Sequence, residues 1–192
     1  MKKQLSRVSV VIGLLFALSA FSVSAHDGVK FHAKLVGAQE VPVVSTQGSG
    51  DFEARIEPDG SLTFKLSYEN LEGSTTTPVV PLFAHIHLGQ KSVNGGVTVF
   101  LCGGGGKPAC PASPATVEGT ITAADVIALP TQELPAGANG LNELIHALRS
   151  GTTYANVHTP MSPGGEIRGQ IKVDDGRHNG HDDHDHHDNH DQ

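Results

Sequence analysis

Ala84-His85-Ile86-His87-Leu88 is the segment of this sequence with the clearest chemical potential. In an extended strand, residues two apart point the same way, so His85 and His87 share one face while Ala84, Ile86 and Leu88 take the other. Two imidazoles about 7 Å apart along a strand can bind one metal ion, and a third ligand is then wanted from elsewhere. Tyr154, Asn156 and His158 share a face of another strand-like segment, with Ala155 and Val157 opposite. Farther on, Glu166, Arg168 and Gln170 alternate with Ile167, Gly169 and Ile171. If these polar faces adjoin, His85, His87 and His158 converge as ligands, with Asn156, Glu166 and Arg168 supporting them. Imidazoles suit Zn, Cu, Ni or Fe, and three of them leave a coordination position open. Nitrogens within ~4 Å of one another would fit a shared ion at Zn–N of about 2.0–2.1 Å. The same residues also fit a metal-free network in which the histidines donate to Glu or backbone and Arg168 pairs with Glu166.

A second histidine set closes the chain. His178, His181, His184, His186, His187 and His190 alternate with carboxylates in residues 174–192, a stretch with seven Asp, one Arg and no apolar residue. Such a tail cannot bury a core and is expected to be disordered without metal. Its ligands suit Zn, Ni or Cu with modest affinity and poor selectivity. Protons compete for imidazoles near pH 6.5, so bound metal should leave as pH falls. The remaining histidines are less telling. His26 and His32 lie near the predicted mature N-terminus, and His146 lies at the edge of an apolar helix face.

Around these groups, the sequence reads as an exported single domain. Lys2, Lys3 and Arg7 precede an apolar run, and Val23-Ser24-Ala25 offers small residues for signal-peptidase cleavage after Ala25. This predicts a signal peptide over 1–25, a β domain over 26–173 and the tail over 174–192, with a periplasmic or secreted location and no membrane span in the mature chain. Losing three cations and no anion takes the net charge from −7 to −10, which argues against nucleic-acid binding by phosphate neutralisation. In an oxidising compartment the only two cysteines, Cys102 and Cys110, are expected to bridge and tether the glycine-rich run between them. Gly103–Gly106 is no phosphate loop, because no Lys-Ser/Thr follows in place. No nucleophile–base pair is evident, and Asp125 and Glu118 have no partner that spacing identifies.

Period-2 alternation predicts strands over 30–36, 51–57, 61–71, 82–88, 97–102, 116–121, 152–159 and 166–173. Thr122-Ala123-Ala124-Asp125 has the form of a capping box and predicts a short helix to 129. Leu141, Leu144, Ile145 and Leu148 predict a second helix over 139–149, stopped at Gly151. The class is therefore all-β: an antiparallel Greek-key β-sandwich or barrel with one or two short inserted helices.

Glu40-Val41-Pro42, Ala84-His85-Ile86-His87-Leu88-Gly89, Asn94-Gly95-Gly96-Val97, Tyr154-Ala155-Asn156-Val157-His158-Thr159 and Pro163-Gly164-Gly165-Glu166-Ile167-Arg168-Gly169-Gln170-Ile171 stand in the order of the CHRD domain, a module named for chordin. The chain resembles that family from about Lys30 to Lys172. The resemblance implies an all-β extracellular module and supplies no established reaction. Chordin's growth-factor antagonism does not carry over to a single-domain chain of this kind. The 102–110 loop and the His/Asp tail depart from the family pattern. His85-Ile86-His87 also resembles the first copper-ligand pair of copper/zinc superoxide dismutase, but no histidine-rich zinc loop or later ligand set follows.

The expectation is an exported, non-catalytic CHRD-type protein that binds Cu or Zn through strand histidines and tail. Its partners would be metal ions and an extracellular protein or cell-envelope component. Two readings compete: a structural or adhesive module without metal, and a redox metalloenzyme at the same three histidines.

Overall fold

The structure is a computed structural model that describes residues 28–72 and 78–176. Alternation of apolar and polar residues produces its first three strands. β1 (Lys30–Val36) turns Phe31, Ala33 and Leu35 inward, β2 (Ser49–Ile56) Phe52 and Ala54, and β3 (Leu62–Glu69) Leu62, Phe64, Leu66 and Tyr68. Between β2 and β3, Asp59 Oδ1 accepts from the Ser61 N–H at 3.0 Å and fixes the expected turn. β4 (Phe83–Leu88), β5 (Gly96–Cys102), β6 (Ala115–Ile121), β7 (Thr153–His158), β8 (Ile167–Gln170) and the two-residue β9 (Lys172–Val173) complete the sheet.

All pairings are antiparallel, in the order β5-β4-β7-β8-β1-β2-β3-β6, with β9 against β1. The ends of this path, β5 and β6, touch, so the sheet curls into a nearly closed barrel. Phe31, Leu35, Phe52, Leu62, Leu66, Ile86, Leu101, Ile121, Val157 and Ile167 fill its interior. Cys102 and Cys110 are bridged at the end of β5.

The predicted strand over 166–173 is divided at Ile171, whose N–H bonds the Thr153 carbonyl at 2.9 Å. Gly169 lies where β8 crowds β1, and a Cβ there would sit 2.4 Å from the Lys34 carbonyl oxygen. Only glycine permits that approach.

The second helix forms as α1 (Gly137–Arg149), two residues longer than expected, and buries Leu141, Leu144, Ile145 and Leu148. The helix predicted over 122–129 does not form. The capping box is present, but the chain makes only a 3-10 turn over Ala123–Asp125. Ile127 then gives its N–H to the Thr98 carbonyl at 2.8 Å, covering the edge of β5 instead of continuing a helix.

Candidate metal centre

The alternation that fills the core also defines an outward face. His85 and His87 on β4, Tyr154, Asn156 and His158 on β7, and Arg168 on β8 alternate with interior residues and lie outside the barrel wall. They are nevertheless buried: His85, His87 and His158 are 3%, 8% and 6% exposed. The connections around residues 37–48, 89–95 and 159–166 supply partners to this face through Glu40, Val93, Asn94, Gly95 and Pro163.

In the β4–β7 register, Phe83 is opposite His158, His85 opposite Asn156, and His87 opposite Tyr154. One ring nitrogen from each of the three histidines lies within 4.8 Å of the others. This is wider than the ~4 Å expected from sequence and than the roughly 3.3 Å between nitrogens of a tetrahedral zinc set at Zn–N of ~2.05 Å, so the rings would have to close by up to about 1.5 Å around an ion.

The hydrogen bonds sort the ring nitrogens. His158 Nδ1 lies 2.9 Å from the Pro163 carbonyl oxygen, which fixes the proton there and leaves Nε2 as a bare lone pair with no hydrogen-bond partner. His85 Nδ1 is likewise buried without a partner. His87 faces an oxygen at each nitrogen, the Gly95 carbonyl at 2.9 Å from Nδ1 and Asn156 Oδ1 at 3.1 Å from Nε2. A neutral ring has one proton for these two oxygens.

The rings are neutral at physiological pH. Burial pulls His85 down to about 2 and His87 down to about 4, and it lowers His158 as well. Mutual repulsion among the imidazoles adds to the effect at His85. The cluster therefore presents unprotonated nitrogens, the form that coordinates metal. Carbonyl acceptors at Nδ1 of His87 and His158 match the outer contacts that orient metal-binding imidazoles.

Beside the histidines lies a polar bed. Asn156 bonds the Glu40 carboxylate, and burial pushes Glu40 up to about 7 against the opposing pull of Arg168 and Asn156. Gly165 makes this contact possible: at φ 121°, a Cβ would sit 2.3 Å from Glu40 Oε1. Arg168, 2% exposed, donates to Asn94 Oδ1 at 3.0 Å and to the Val93 carbonyl at 2.6 Å. Its guanidinium carbon lies 3.4 Å from the centre of the Tyr154 ring. His87 stacks on the same ring, with centroids 4.5 Å apart and planes 7° from parallel. Because β4 and β8 flank β7, Tyr154 lies between His87 and Arg168.

The Arg168–Glu166 pair that the metal-free network would use is absent among the described residues. Glu166 Oε1 instead accepts from Thr46 Oγ1 at 2.7 Å and from the Glu72 N–H at 2.6 Å, while Oε2 has no partner. Loop carbonyls nearer to Arg168 satisfy its fork. The structure thus brings together His85, His87, His158 and Asn156, with Arg168 one strand away and Glu166 turned toward another loop. Sequence reading missed three features here: Glu40 as a buried carboxylate, the stack through Tyr154, and the Phe83 and Phe100 rings beside His85. Glu40-Val41-Pro42 was visible as a motif, but nothing in its spacing tied it to residues more than a hundred positions away. The six tail histidines, His26 and the predicted signal peptide lie outside the described residues. Asp125 and Glu118, unassigned from sequence, pair with Lys107 at 2.7 Å and Lys65 at 3.9 Å.

A family model, that of the CHRD domain, matches residues 31–171. The chain belongs to the CHRD domain family. No curated protein and no solved structure matches it. The match spans every strand that carries the cluster, so the three histidines are part of the CHRD fold and not of an appended segment. In this CHRD domain three neighbouring histidines stand close enough together to be a candidate metal site. Among the described residues, no helix is long and apolar enough to cross a membrane.

Proposed function

We propose that this chain is an exported, non-catalytic CHRD-domain protein that binds one Cu or Zn ion at His85, His87 and His158. The observation that carries this reading is the pair of buried, unpartnered nitrogens, His85 Nδ1 and His158 Nε2, in one cluster. Buried polar atoms without partners are rare, and each one calls for a reason. A cation among the rings would engage both unpartnered nitrogens and, with the His87 proton on Nδ1 toward the Gly95 carbonyl, would relieve the contact between His87 Nε2 and Asn156 Oδ1. Imidazole donors suit Cu and Zn. Asn156 and Arg168 support the cluster, with Glu166 farther out. The tail histidines His178, His181, His184, His186, His187 and His190 form a second, low-affinity reservoir. CHRD membership supports an extracellular setting, and the signal-like first 25 residues support export to the periplasm or beyond. An extracellular or cell-envelope partner would receive or supply the ion.

Metal titration of the untagged chain tests this, with all six tail histidines changed to Gln so that only the domain site reports. The expected result is one Zn or Cu per chain, lost in His85→Ala and His158→Ala. Absence of binding, or binding unchanged by both substitutions, would leave the cluster as a structural network. The pH dependence separates the two sites. Tail imidazoles of ordinary basicity should release metal between pH 7.5 and 5.5, whereas the buried set should retain it.

A further inference from the structure

Two phenylalanines wall the histidine cluster, Phe83 at the start of β4 and Phe100 on β5. Phe83 stacks on His85 with centroids 5.5 Å apart and lies 5.0 Å from His158. Phe100 stands edge-on to His85 at 5.2 Å and to Phe83 at 6.4 Å. Register shifts between Ala84 and His85 and between Ile86 and His87 leave Phe100 directly opposite His85, an example of a bulge re-aiming a side chain beside a site.

β5 ends the strand path, and a loop backs Phe100. A Cβ on Gly104 would lie 2.5 Å from the Phe100 ring, and one on Gly105 would lie 2.8 Å from it. The loop backbone therefore rests on that ring at a distance that side chains forbid. The Cys102–Cys110 bridge closes the same loop, and its Gly103 N–H bonds the Pro108 carbonyl at 2.8 Å. Lys107 Nζ ties it to the Thr120 carbonyl at 3.1 Å and to Asp125 at 2.7 Å.

We propose that the disulfide-closed 102–110 loop is a positioning device for the histidine cluster: it holds Phe100 against His85 and so fixes the ring that presents an unpartnered nitrogen to the site. This rests on the metal reading above for its purpose, but not for its geometry. Phe100 is a positioning residue and not a ligand. Four successive glycines have high conformational entropy when unclosed, so opening the bridge leaves Phe100 without a fixed backing. His85 then has to be ordered at each binding event, and the advantage of a preorganised ligand is lost.

The test uses the full chain with the six tail histidines changed to Gln and compares Cys102→Ser/Cys110→Ser, Phe100→Ala and Gly104→Ala. The last keeps the bridge and displaces Phe100 by contact alone, so it serves if loss of the bridge prevents folding. Two quantities are read: the Zn dissociation constant, and the imidazole nitrogen NMR signals of the metal-free protein. The expected result is roughly tenfold weaker Zn binding and shifted His85 signals, with those of His87, held by Gly95, unmoved. Phe100→Tyr, which keeps the ring, should restore both. Unmoved His85 signals in every variant would overturn the proposal, whatever happens to affinity. Shifted His85 signals in a parent chain that binds no Zn would uphold the positioning role and remove the metal function instead. Shifted signals with an unchanged dissociation constant would likewise uphold the positioning of His85 and remove only its effect on affinity.

Discussion

His85 and His158 meet diagonally across the β4–β7 pair. His85 is registered with Asn156, and His158 with Phe83, yet the two imidazole centroids lie 4.5 Å apart. Diagonal neighbours of an antiparallel pair are within reach of ring side chains. The diagonal leaves Asn156 directly opposite His85, where it contacts His87 Nε2 on one side and Glu40 on the other. Asn156→Ala should therefore keep all three ligands but lose the group that orients them. Zn or Cu affinity is expected to fall about 10- to 100-fold with stoichiometry unchanged, as read by competition titration.

Metal should stabilise the fold through the cluster. At free ion about 100 times the dissociation constant, binding adds ~2.7 kcal/mol, which for a domain of this size raises Tm by about 5–10 °C. Calorimetric scans of the tail-substituted chain with and without Zn measure the shift. His158→Ala should abolish it.

Acid should destabilise the metal-free protein. Unfolded histidines take up protons near 6.5, whereas folded His87 resists until about 4 and His85 until about 2. Between those values the unfolded chain binds more protons, so stability falls as pH falls. Glu40 acts in the opposite direction. With its pKa raised from 4.5 to about 7, it favours the folded state at low pH, and that contribution is lost as pH rises through this interval. Three histidines outweigh one carboxyl, so the net slope between pH 4.5 and 6.5 is positive. His87→Leu should flatten the profile by on the order of 3 kcal/mol across pH 6.5 to 4, as measured by urea unfolding at a series of pH values.

Arg168 is held by loop oxygens and an aromatic face rather than by a paired carboxylate. Arg168→Met keeps bulk but takes the charged donor away from the Val93 carbonyl and Asn94 Oδ1 and removes the charge from the Tyr154 ring. A loss of about 3 kcal/mol is expected in chemical denaturation. Arg168→Lys should recover only part of it, because a point charge cannot reproduce the fork.

Much of this molecule was legible in the sequence because its strands alternate strictly. Phe31, Ala33 and Leu35 against Lys30, His32 and Lys34 announce an amphipathic strand, and the same rule puts His85 and His87 on one face. Strand parity also predicted that Tyr154, Asn156 and His158 share a face. It could not predict that β4 and β7 pair directly, since that depends on contacts nearly 70 residues apart. The Thr122–Asp125 capping box gave a correct local turn and a wrong helix, because Ile127 found a strand-edge acceptor in Thr98. Glu40 and Phe100 escaped notice for a related reason. One sits on a loop and the other appears as an ordinary apolar strand residue, and their roles arise only where loops close over the barrel face.

The most direct measurement is anomalous diffraction at the zinc edge from crystals of the Zn-loaded, tail-substituted chain. The account predicts one strong peak about 2.0–2.1 Å from a nitrogen of each of His85, His87 and His158. An empty cluster, with zinc bound elsewhere on the chain or not at all, would contradict it.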